Sequence, residues 1–595
     1  MPKIEVNEEV FYALAGFPGG KSPWKTKEAF EEALTCAKAE LDEEGDTSLP
    51  PGERTLKIEL NDTNRPDLWG AAGCARQLRV YNGGAIPAYP FFAGPRPGGG
   101  NGGPAKAANK ARRQVLVQET VRGVRPWLAG FVASGRTVSD PLLRDMIQTQ
   151  EKLAWNFGRK RRTVSMGLYR TAMIRWPIVY RGADPDAVSF VPLQWKTPLT
   201  LREILRQHPK GKEYAFIQEH EPIHPLLTDS AGAVLSYPPI INSADLGAVQ
   251  VGDADLFVEI TGTDQGAVNL TLNIVACDLA DHGFAIEPVE IAYEYDTPLG
   301  RNYTTPCYFQ EPVFCSLARI EKYLGEKVSA PDCVAALARM GVRAEAAEDT
   351  ERGGNTKPGP GVRAWPPEYR NDFLHAADVM EDIMMGRGLS SFKPERPRDF
   401  TVGRLTPLTI WSRRIKEIMA GLGYQEMIYN YLGSRKDLVE RMNGDGSRII
   451  RISNPMTENY EYVRDSVLAS LMQSEAVSGH AAYPHRIFET GKIARLDAGT
   501  NEGSVTRQYL GFLHAGTEAN FNTVAAELQT LFYYLARDYG VEESADPRFI
   551  PGRAAAIRYG GTALGVFGEL HPQVLENWGV AVPCTACELD AEALL

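Results

Sequence analysis

Apolar and polar residues alternate with different periods along the chain, and the changes of period mark the predicted elements. Apolar residues at helical spacing predict helices over 140–158, 407–424 and 464–480. Runs rich in β-branched and other apolar residues predict strands over 254–264, 267–283, 486–497 and 561–570. Helices and strands therefore mix throughout the chain, which indicates an α+β protein.

The segment 311–342 carries clear helix boundaries. It predicts a helix, a glycine-containing turn, a helix start at Ser329 with Pro331 behind it, and a second helix. Two helices joined by a short turn are compatible with a helix-turn-helix-like module.

Two segments interrupt the helices and strands. Tyr89–Gln114 is rich in Gly and Pro and predicts a linker or surface insertion, while 348–370 predicts an exposed loop. Gly98, Gly100 and Gly103 match the spacing of a dinucleotide-binding loop. The match lies between prolines, with no strand before it and no helix directly after it. We therefore expect no nucleotide site there.

Length and composition describe an ordinary globular protein. The chain has 595 residues, 43% hydrophobic and 23% charged, which suggests roughly three to five domains. Its formal net charge is −11, so a nucleic-acid partner would have to bind local basic patches. No apolar run approaches the ~18 residues of a membrane span, and no signal-peptide pattern opens the chain. We expect a cytoplasmic protein that contacts no membrane.

The eight cysteines are scattered along the chain, which predicts reduced thiols rather than a disulfide framework. Cys584 and Cys587 form one C-x-x-C pair. A structural zinc site needs two further ligands nearby, and no second pair follows. We expect this pair to have no metal or redox role.

Four carboxylates, those of Asp372, Asp378, Glu381 and Asp382, lie close together in sequence. A helix beginning near residue 374 would place the last three on one face, with Asp372 near its entry. Since no Lys or Arg lies between them, a nearby positive charge is expected. A solvated acidic face is one interpretation, and a site for a hard cation such as Mg²⁺ is the other.

Two further motifs allow more than one interpretation. Arg159, Lys160, Arg161 and Arg162 form either a solvated turn or a phosphate contact, and no aromatic residues alternate with them to suggest base stacking. The sequence HEPIHP at 220–225 contains the H-E-x-x-H pattern of zinc proteases. Its two prolines oppose the helix that this chemistry needs, so we expect these histidines in a loop.

Seven segments together resemble one protein family. They are IELNDTNRPDLWGAAGCARQLRVYNG (58–83), GRKRRTVSMGLY (158–169), YPPIINSADLG (237–247), VEITGTD (258–264), YRNDFLHAADVMEDIMMGRG (369–388), ISNPMTENYEYVRDSVLASLM (452–472) and GVFGELHPQVLENWGV (565–580). In this order they closely resemble the beta subunit of phenylalanyl-tRNA synthetase, in the shorter form of archaea and eukaryotes. The resemblance covers nearly the whole chain apart from the Gly/Pro-rich insertion.

The resemblance implies an α+β multidomain fold with three recognisable parts. These are an editing module, a helix-turn-helix or winged-helix-like module, and a non-catalytic core like the antiparallel sheet of class II synthetases. The implied domains are an N-terminal α/β domain (1–88), the insertion or linker (89–113), the editing module (114–290), a connecting segment (291–306), the winged-helix-like module with the acidic helix (307–396) and the synthetase-like core (397–595).

The implied editing module hydrolyses tyrosine wrongly attached to the phenylalanine tRNA. The residues that match the family's pocket are Leu227, Ser236, Asn242, Glu259 and Thr261. Glu259 stands where archaeal members usually have Asp, and its strand alone would predict an outward-facing residue. None of the five is an evident nucleophile, so the expected attacker is a positioned water assisted by the tRNA ribose.

The resemblance also implies ligands and partners. The four carboxylates that match the family's magnesium ligands are Asp372, Asp378, Glu381 and Asp382. The chain would be a phenylalanine-tRNA ligase subunit in an α₂β₂ tetramer that binds tRNA(Phe). ATP and phenylalanine would bind the alpha subunit, since Arg464 and Arg553 lack the surrounding pattern of an active site and are expected to be structural or at the subunit interface.

One alternative is an RNA-binding or assembly scaffold of the same architecture without hydrolysis. The matching pocket residues and the unbroken acidic motif favour the synthetase.

Overall fold

The computed structural model describes residues 2–17, 19, 21–92, 113–348 and 359–595. The chain forms two compact units, Met1–Glu395 and Arg396–Leu595. The predicted Gly/Pro-rich insertion, with Gly98, Gly100 and Gly103, lies outside the described residues except at its two ends. Within the described ranges, no helix has both the length and the apolar character to cross a membrane.

The first part of unit 1 is a small α/β layer. Its elements are β1 (Lys3–Asn7), α1 (Glu8–Leu14), α2 (Lys27–Leu34), β2 (Ala39–Glu43), β3 (Thr55–Leu60) and α3 (Ala71–Tyr81). The strands form an antiparallel sheet in the order β1-β3-β2. Helix α1 begins where the Asn7 side chain accepts a hydrogen bond from the Val10 amide, which satisfies an otherwise unpaired donor.

A ten-stranded sheet forms the centre of unit 1. Its elements are β4 (Gln114–Val117), β5 (Trp127–Ser134), α4 (Asp140–Lys152), β6 (Val164–Arg170), β7 (Ile178–Ala183), the separate two-stranded pair β8 (Ser189–Phe190) and β9 (Leu199–Thr200), α5 (Leu201–Gln207), α6 (Pro209–Tyr214), β10 (His224–Thr228), β11 (Val234–Tyr237), β12 (Ile241–Asn242), β13 (Leu256–Gly262), α7 (Gln265–Asp281), β14 (Ala285–Tyr293) and β15 (Asn302–Thr305). The strand order is β12-β11-β10-β7-β4-β14-β5-β13-β6, with β15 beside β14.

The strand predicted over 267–283 is wrong, because this segment is the long helix α7. Every residue from Val268 to Leu279 is buried, so the segment has no polar face and no helical period for the sequence to display. Its β-branched residues then resemble a buried strand. The Asp264 side chain, which accepts from the Ala267 amide, marks the start of the helix.

A helical module follows the large sheet. It contains β16 (Val313–Ser316), α8 (Leu317–Leu324), α9 (Ala330–Arg339), β17 (Arg343–Glu348), β18 (Pro360–Trp365) and α10 (Ala376–Arg387). The two predicted helices with the Ser329 start are confirmed, and Gly325 ends the first of them in the left-handed conformation at φ +79°.

The loop predicted over 348–370 is wrong in its second half. Strand β18 pairs with both β16 and β17, and its Val362 and Ala364 are buried. The alternation of these residues is short and flanked by prolines, which hides it in the sequence. Residues 349–358 lie outside the described part of the chain.

Arg76 connects three parts of unit 1. This buried side chain of α3 forms ion pairs with Asp278 and Asp281 of α7, at 3.1 Å and 2.7 Å. Its guanidinium also lies 4.1 Å from the ring centre of Tyr369, ahead of α10. The N-terminal layer, the large sheet and the helical module therefore share one buried charge network.

Unit 2 is a seven-stranded sheet between helices. Its elements are α11 (Pro407–Gly421), β19 (Gln425–Glu426), β20 (Leu432–Gly433), β21 (Ile450–Arg451), β22 (Tyr462–Val463), α12 (Leu468–Val477), β23 (His485–Leu496), β24 (Ser504–Ala515), α13 (Phe521–Leu535), β25 (Gly540–Glu543), β26 (Phe549–Tyr559), β27 (Thr562–Leu570), α14 (Pro572–Trp578) and β28 (Cys584–Asp590). The order β19-β23-β24-β28-β27-β26-β25 is antiparallel except at β19, and β20, β21 and β22 form a separate small sheet.

Two apolar clusters hold unit 2 together. Trp411 and Ile415 of α11 pack with Leu528 of α13 in one cluster. Leu471 of α12 and Trp578 of α14 belong to the other. The predicted helices at 407–424 and 464–480 and the strands at 486–497 and 561–570 are confirmed.

Candidate functional site

The candidate site lies on one face of the large sheet, around Glu259 in β13. This strand pairs with β5 on one side and β6 on the other, and the register places Glu259 between Gly130 and Gly167. Glu259 is 2% exposed, so the outward orientation that its strand alone would predict is wrong. Gly167 leaves space beside the carboxylate, because a Cβ atom at this position would lie 2.5 Å from Glu259 Oε1.

The hydroxyl of Tyr169 is the meeting point of three predicted pocket residues. It lies 2.9 Å from Glu259 Oε1, 2.8 Å from Ser236 Oγ and 3.5 Å from Asn242 Oδ1. These contacts bring together side chains from β6, β11, β12 and β13. The structure therefore gathers Ser236, Asn242 and Glu259 around one phenol group.

The carboxyl group of Glu259 is buried away from solvent. Burial raises its pKa to about 7, against the lowering effects of the Tyr169 hydrogen bond and the Arg125 charge. Its Oε2 atom is buried and has no hydrogen-bond partner among the described residues. A group with this pKa changes its charge near neutral pH and has one oxygen left to accept a hydrogen bond.

Thr261 has a different set of contacts from Glu259. Its hydroxyl and carbonyl oxygens accept hydrogen bonds from the buried Arg125 guanidinium at 3.0 Å and 2.6 Å. Arg125 also donates to Ser165 Oγ, and burial lowers its pKa to about 10. Thr261 therefore anchors a buried cation two residues from the Glu259 carboxylate.

Leu227 lies at the back of the site and Asn242 at its edge. Leu227 is fully buried and faces Ser236 in the β10–β11 register, while Asn242 is half-buried and faces Ser236 in the β11–β12 register. Cavities of about 360 to 550 Å³ occur elsewhere in the molecule and are not lined by any of the five predicted residues. The half-buried side of the site is at Asn242.

The sequence analysis missed Tyr169 and Arg125. Tyr169 carries a local signal, since it lies two residues after Gly167 in a strand whose alternate side chains share one face. Arg125 lies in a loop before β5 and has no pattern around it. Its position beside Thr261 depends on contacts between distant segments, which a single sequence does not display.

The basic cluster forms a tight left-handed turn beside the site. Arg159, Lys160 and Arg161 have φ values of 50°, 55° and 65°. Arg125 donates to the carbonyls of Arg161 and Arg162 at 3.3 Å and 3.1 Å. One buried arginine therefore joins this turn to the pocket.

Aromatic rings accompany the basic cluster in space, although none alternates with it in sequence. Lys160 lies 5.3 Å from the Trp155 ring centre, and the Arg162 guanidinium lies 4.8 Å from that of Phe216. Trp155 and Phe216 are 44% and 38% exposed. The surface thus presents both positive charge and accessible rings, the combination that single-stranded nucleic acid binds.

The carboxylates near α10 find hydrogen-bond and charge partners within the chain. The buried Arg370 guanidinium donates to Asp372 and Asp382, with closest distances of 2.6 Å to each carboxylate. Burial opposes ionisation of both acids, but at Asp372 the Arg370 charge prevails and holds the pKa at about 2. At Asp382 burial prevails and raises the pKa. The cation that the sequence analysis expected is supplied here by an arginine.

The other two carboxylates also have partners. Asp378 accepts from the Leu374 and His375 amides at the start of α10, and Glu381 pairs with Lys38 Nζ at 2.8 Å. In the described ranges, no three acidic, histidine or cysteine side chains gather where a metal ion could bind. As placed, the four acids do not fit as joint magnesium ligands, and the magnesium site stays a prediction.

The remaining motifs contribute no site of their own. His224 opens strand β10, where it is buried and hydrogen-bonded to the Tyr237 hydroxyl at 2.6 Å, so the loop predicted for both histidines is wrong for this one. The helix required by a zinc protease is therefore absent at 220–225, a segment that is fully described. All eight cysteines, which lie in the described ranges, are buried and free.

Arg464 of unit 2 is enclosed by protein groups. It is fully buried, and its guanidinium forms two hydrogen bonds to Glu489, at 2.7 Å and 2.9 Å. It also donates to Ser470 Oγ and to the Lys492 carbonyl. Arg553 lies on β26 and pairs with Glu569 at 2.7 Å.

Comparisons with known proteins cover the whole chain. Residues 313–389 match the family model described as tRNA synthetase B5 domain, and residues 394–591 match that described as phenylalanyl tRNA synthetase beta chain CLM domain. The chain is 44% identical to the phenylalanine-tRNA ligase beta subunit of Treponema pallidum and 41% identical to that of Borrelia hermsii, and both alignments cover 100% of each chain.

A solved structure is similar to about two thirds of the chain. This crystal structure of an N-terminal fragment of the phenylalanyl-tRNA synthetase beta subunit from Pyrococcus horikoshii is 31% identical, with a TM-score of 0.54. It covers 65% of this chain and 100% of the fragment. The chain belongs to the family of phenylalanine-tRNA ligase beta subunits, as its seven segments predicted.

Proposed function

We propose that this chain is the proofreading subunit of a phenylalanine-tRNA ligase and hydrolyses Tyr-tRNA(Phe) at the site around Glu259. The observation that carries the proposal is a buried carboxylate with one unpartnered oxygen, beside Ser236 and Asn242. Such a carboxylate can accept a hydrogen bond from a substrate that carries a hydroxyl. When the substrate lacks the hydroxyl, the carboxylate oxygen stays unpaired, which costs free energy. Tyrosine and phenylalanine differ by this hydroxyl.

Proofreading is needed because of a limit on apolar recognition. A hydrophobic pocket made for phenylalanine rejects the same ring with an added hydroxyl by only about 10²-fold. A site that hydrogen-bonds the hydroxyl can instead discriminate by about 10⁴- to 10⁵-fold. None of the predicted pocket side chains is an evident nucleophile, so a positioned water attacks the ester bond.

In this proposal, an alpha subunit attaches phenylalanine to the tRNA. The support from unit 2 is that the buried Arg464 guanidinium is committed to Glu489, and that the exposed Arg553 is paired with Glu569. ATP and phenylalanine are then bound by the partner, in an α₂β₂ assembly with tRNA(Phe). Unit 2 serves as a non-catalytic core like the antiparallel sheet of class II synthetases, and β16 to α10 form a winged-helix-like module.

We also infer the shorter subunit architecture of archaea and eukaryotes. The support is that the Pyrococcus horikoshii fragment aligns over its entire length. The Treponema pallidum and Borrelia hermsii relatives also align over their entire length with this chain.

The first test separates synthesis from proofreading. We expect the purified chain alone to form no Phe-tRNA(Phe) from ATP, phenylalanine and tRNA. With the alpha subunit, charging appears and Tyr-tRNA(Phe) is hydrolysed at least about 10²-fold faster than Phe-tRNA(Phe). Charging kinetics measure the synthesis of Phe-tRNA(Phe), and deacylation of preformed aminoacyl-tRNA measures proofreading. Charging without any selective hydrolysis would instead support the scaffold alternative.

The second test addresses the basic cluster, which we propose contacts the tRNA backbone. Replacing Lys160 and Arg162 with alanine removes two mobile positive charges beside exposed rings. We expect weaker tRNA binding and a slope of log affinity against log salt that is smaller by about 1.4 to 1.8. Filter binding from 50 to 300 mM salt, with exposed Lys322→Ala as the matched control, checks this. An unchanged slope would show that the cluster is only a solvated turn.

A further inference from the structure

Tyr169 is held rigidly in the middle of the sheet. Its side chain is fully buried, and its ring stacks on Phe257 of the neighbouring strand, with centroids 5.9 Å apart and planes inclined by 28°. The ring therefore has no room to swing away from the site. Its hydroxyl therefore occupies one fixed position, next to Glu259.

The hydrogen bonding of this hydroxyl has a definite direction. An ionised carboxylate only accepts hydrogen bonds, so Tyr169 donates its one proton to Glu259 Oε1. The phenol is also placed as the donor toward Ser236 Oγ at 2.8 Å, so Ser236 and Glu259 compete for one proton, and the charged carboxylate is the stronger acceptor. The hydrogen bond from Tyr169 thus ends on one oxygen of the carboxylate.

Gly167 keeps open the space that this hydrogen bond requires. A Cβ atom at this position would lie 2.2 Å from the Tyr169 hydroxyl oxygen and 2.5 Å from Glu259 Oε1. Both distances are too short for real contacts, and the groups concerned are fixed by packing. Any side chain at residue 167 would therefore separate the phenol from the carboxylate.

The other carboxylate oxygen remains free to accept. Glu259 Oε2 is buried without a hydrogen-bond partner among the described residues, and leaving a desolvated acceptor unpaired costs free energy. The cost is removed when a ligand donates a hydrogen bond to this atom. The phenolic hydroxyl of a tyrosyl ester is such a donor.

We propose that Tyr169 is a positioning residue for proofreading, which fixes Glu259 through Oε1 so that Oε2 accepts the hydroxyl of the substrate's tyrosyl group. This inference rests on the proposed function. Tyr169 itself does not contact the ester. It acts through the orientation and ionisation of Glu259.

The ionisation of Glu259 provides a readout that a purely structural role would not change. Burial raises its pKa to about 7, and the Tyr169 hydrogen bond and the Arg125 charge both lower it. The remaining titratable neighbour is Tyr180, which is uncharged near neutral pH because burial raises its pKa. Without the Tyr169 hydroxyl, the pKa of Glu259 moves up, and ionised Glu259 is formed only at higher pH.

The test is Tyr169→Phe in the complete αβ enzyme, which keeps the ring and its packing. Rates of Tyr-tRNA(Phe) and Phe-tRNA(Phe) deacylation are measured from pH 5.5 to 8.5, and their ratio removes the general effect of hydroxide. We expect the ratio at pH 7 to fall about tenfold and its midpoint to move up by about 0.5 to 1 pH unit. Phenylalanylation stays unchanged.

Two further variants complete the design. Gly167→Ala should reproduce the loss, because it breaks the same hydrogen bond without altering either partner. Tyr293→Phe is the matched control, since it removes another buried phenol of this sheet, which donates to the Leu128 carbonyl, and should leave the ratio unchanged.

The outcomes separate the role of Tyr169 from the proposed proofreading function. An unchanged or increased ratio in Tyr169→Phe, in an enzyme whose wild type prefers Tyr-tRNA(Phe), overturns the role of Tyr169 and leaves the proposed function intact. A wild-type enzyme without any preference for Tyr-tRNA(Phe) overturns both.

Discussion

Replacing Glu259 with alanine is expected to slow hydrolysis of Tyr-tRNA(Phe) by about 10²-fold and to leave phenylalanylation within about twofold of wild type. The reason is that a hydrogen bond to a charged group contributes about 1.5–3 kcal/mol, and here it is available only to tyrosine. Deacylation of preformed Tyr-tRNA(Phe) by the αβ enzyme, beside initial charging rates, measures both effects.

Two companion variants make the Glu259 experiment specific. Glu151→Ala removes an exposed glutamate from the same part of unit 1 and should leave deacylation unchanged. Glu259→Gln keeps the side-chain shape but replaces the carboxylate with an amide, so an intermediate loss is expected. Wild-type deacylation by the Glu259→Ala enzyme would remove this residue from the pocket.

Replacing Arg370 with methionine is expected to destabilise unit 1 by about 3–5 kcal/mol. The arginine is buried between Asp372 and Asp382, and its removal leaves two carboxylates close together without their counter-ion. Urea unfolding followed by far-ultraviolet circular dichroism measures the loss. Arg319→Met, at an exposed position of α8, is the control and should cost less than about 0.5 kcal/mol.

A rescue experiment tests the cause of that loss. If uncompensated charge is responsible, adding Asp372→Asn and Asp382→Asn to Arg370→Met should restore part of the stability. A triple variant no more stable than the single one would indicate that Arg370 acts by packing instead. Repeating the unfolding with 10 mM Mg²⁺ shows whether a divalent cation can replace the missing guanidinium.

Local signals allowed much of the fold to be predicted. The caps at Ser329 and Gly325 and the apolar period of α11 depend on neighbours within a few residues, so they are visible in one sequence. Helix α7 was missed because burial on all sides removes the period that distinguishes a helix from a strand.

The candidate site was predictable only in part, for a related reason. The family resemblance pointed to Asn242 and Glu259, because matching segments carry them in order. Tyr169 was part of one of those segments, but its role depends on the register that brings β6 beside β13. Glu381 forms its ion pair with Lys38, which is more than three hundred residues away in the sequence. No local sequence pattern predicts such a contact.

Arg76 of α3 also limits where this subunit can be divided into separate fragments. A gene fragment that begins after the N-terminal layer would encode Asp278 and Asp281 without Arg76, and would leave their carboxylates facing an empty surface. The same fragment would expose the Tyr369 ring on which the guanidinium lies. Recombination between related genes would therefore preserve folding best when its crossover points keep this arginine and its two aspartates on the same parental segment.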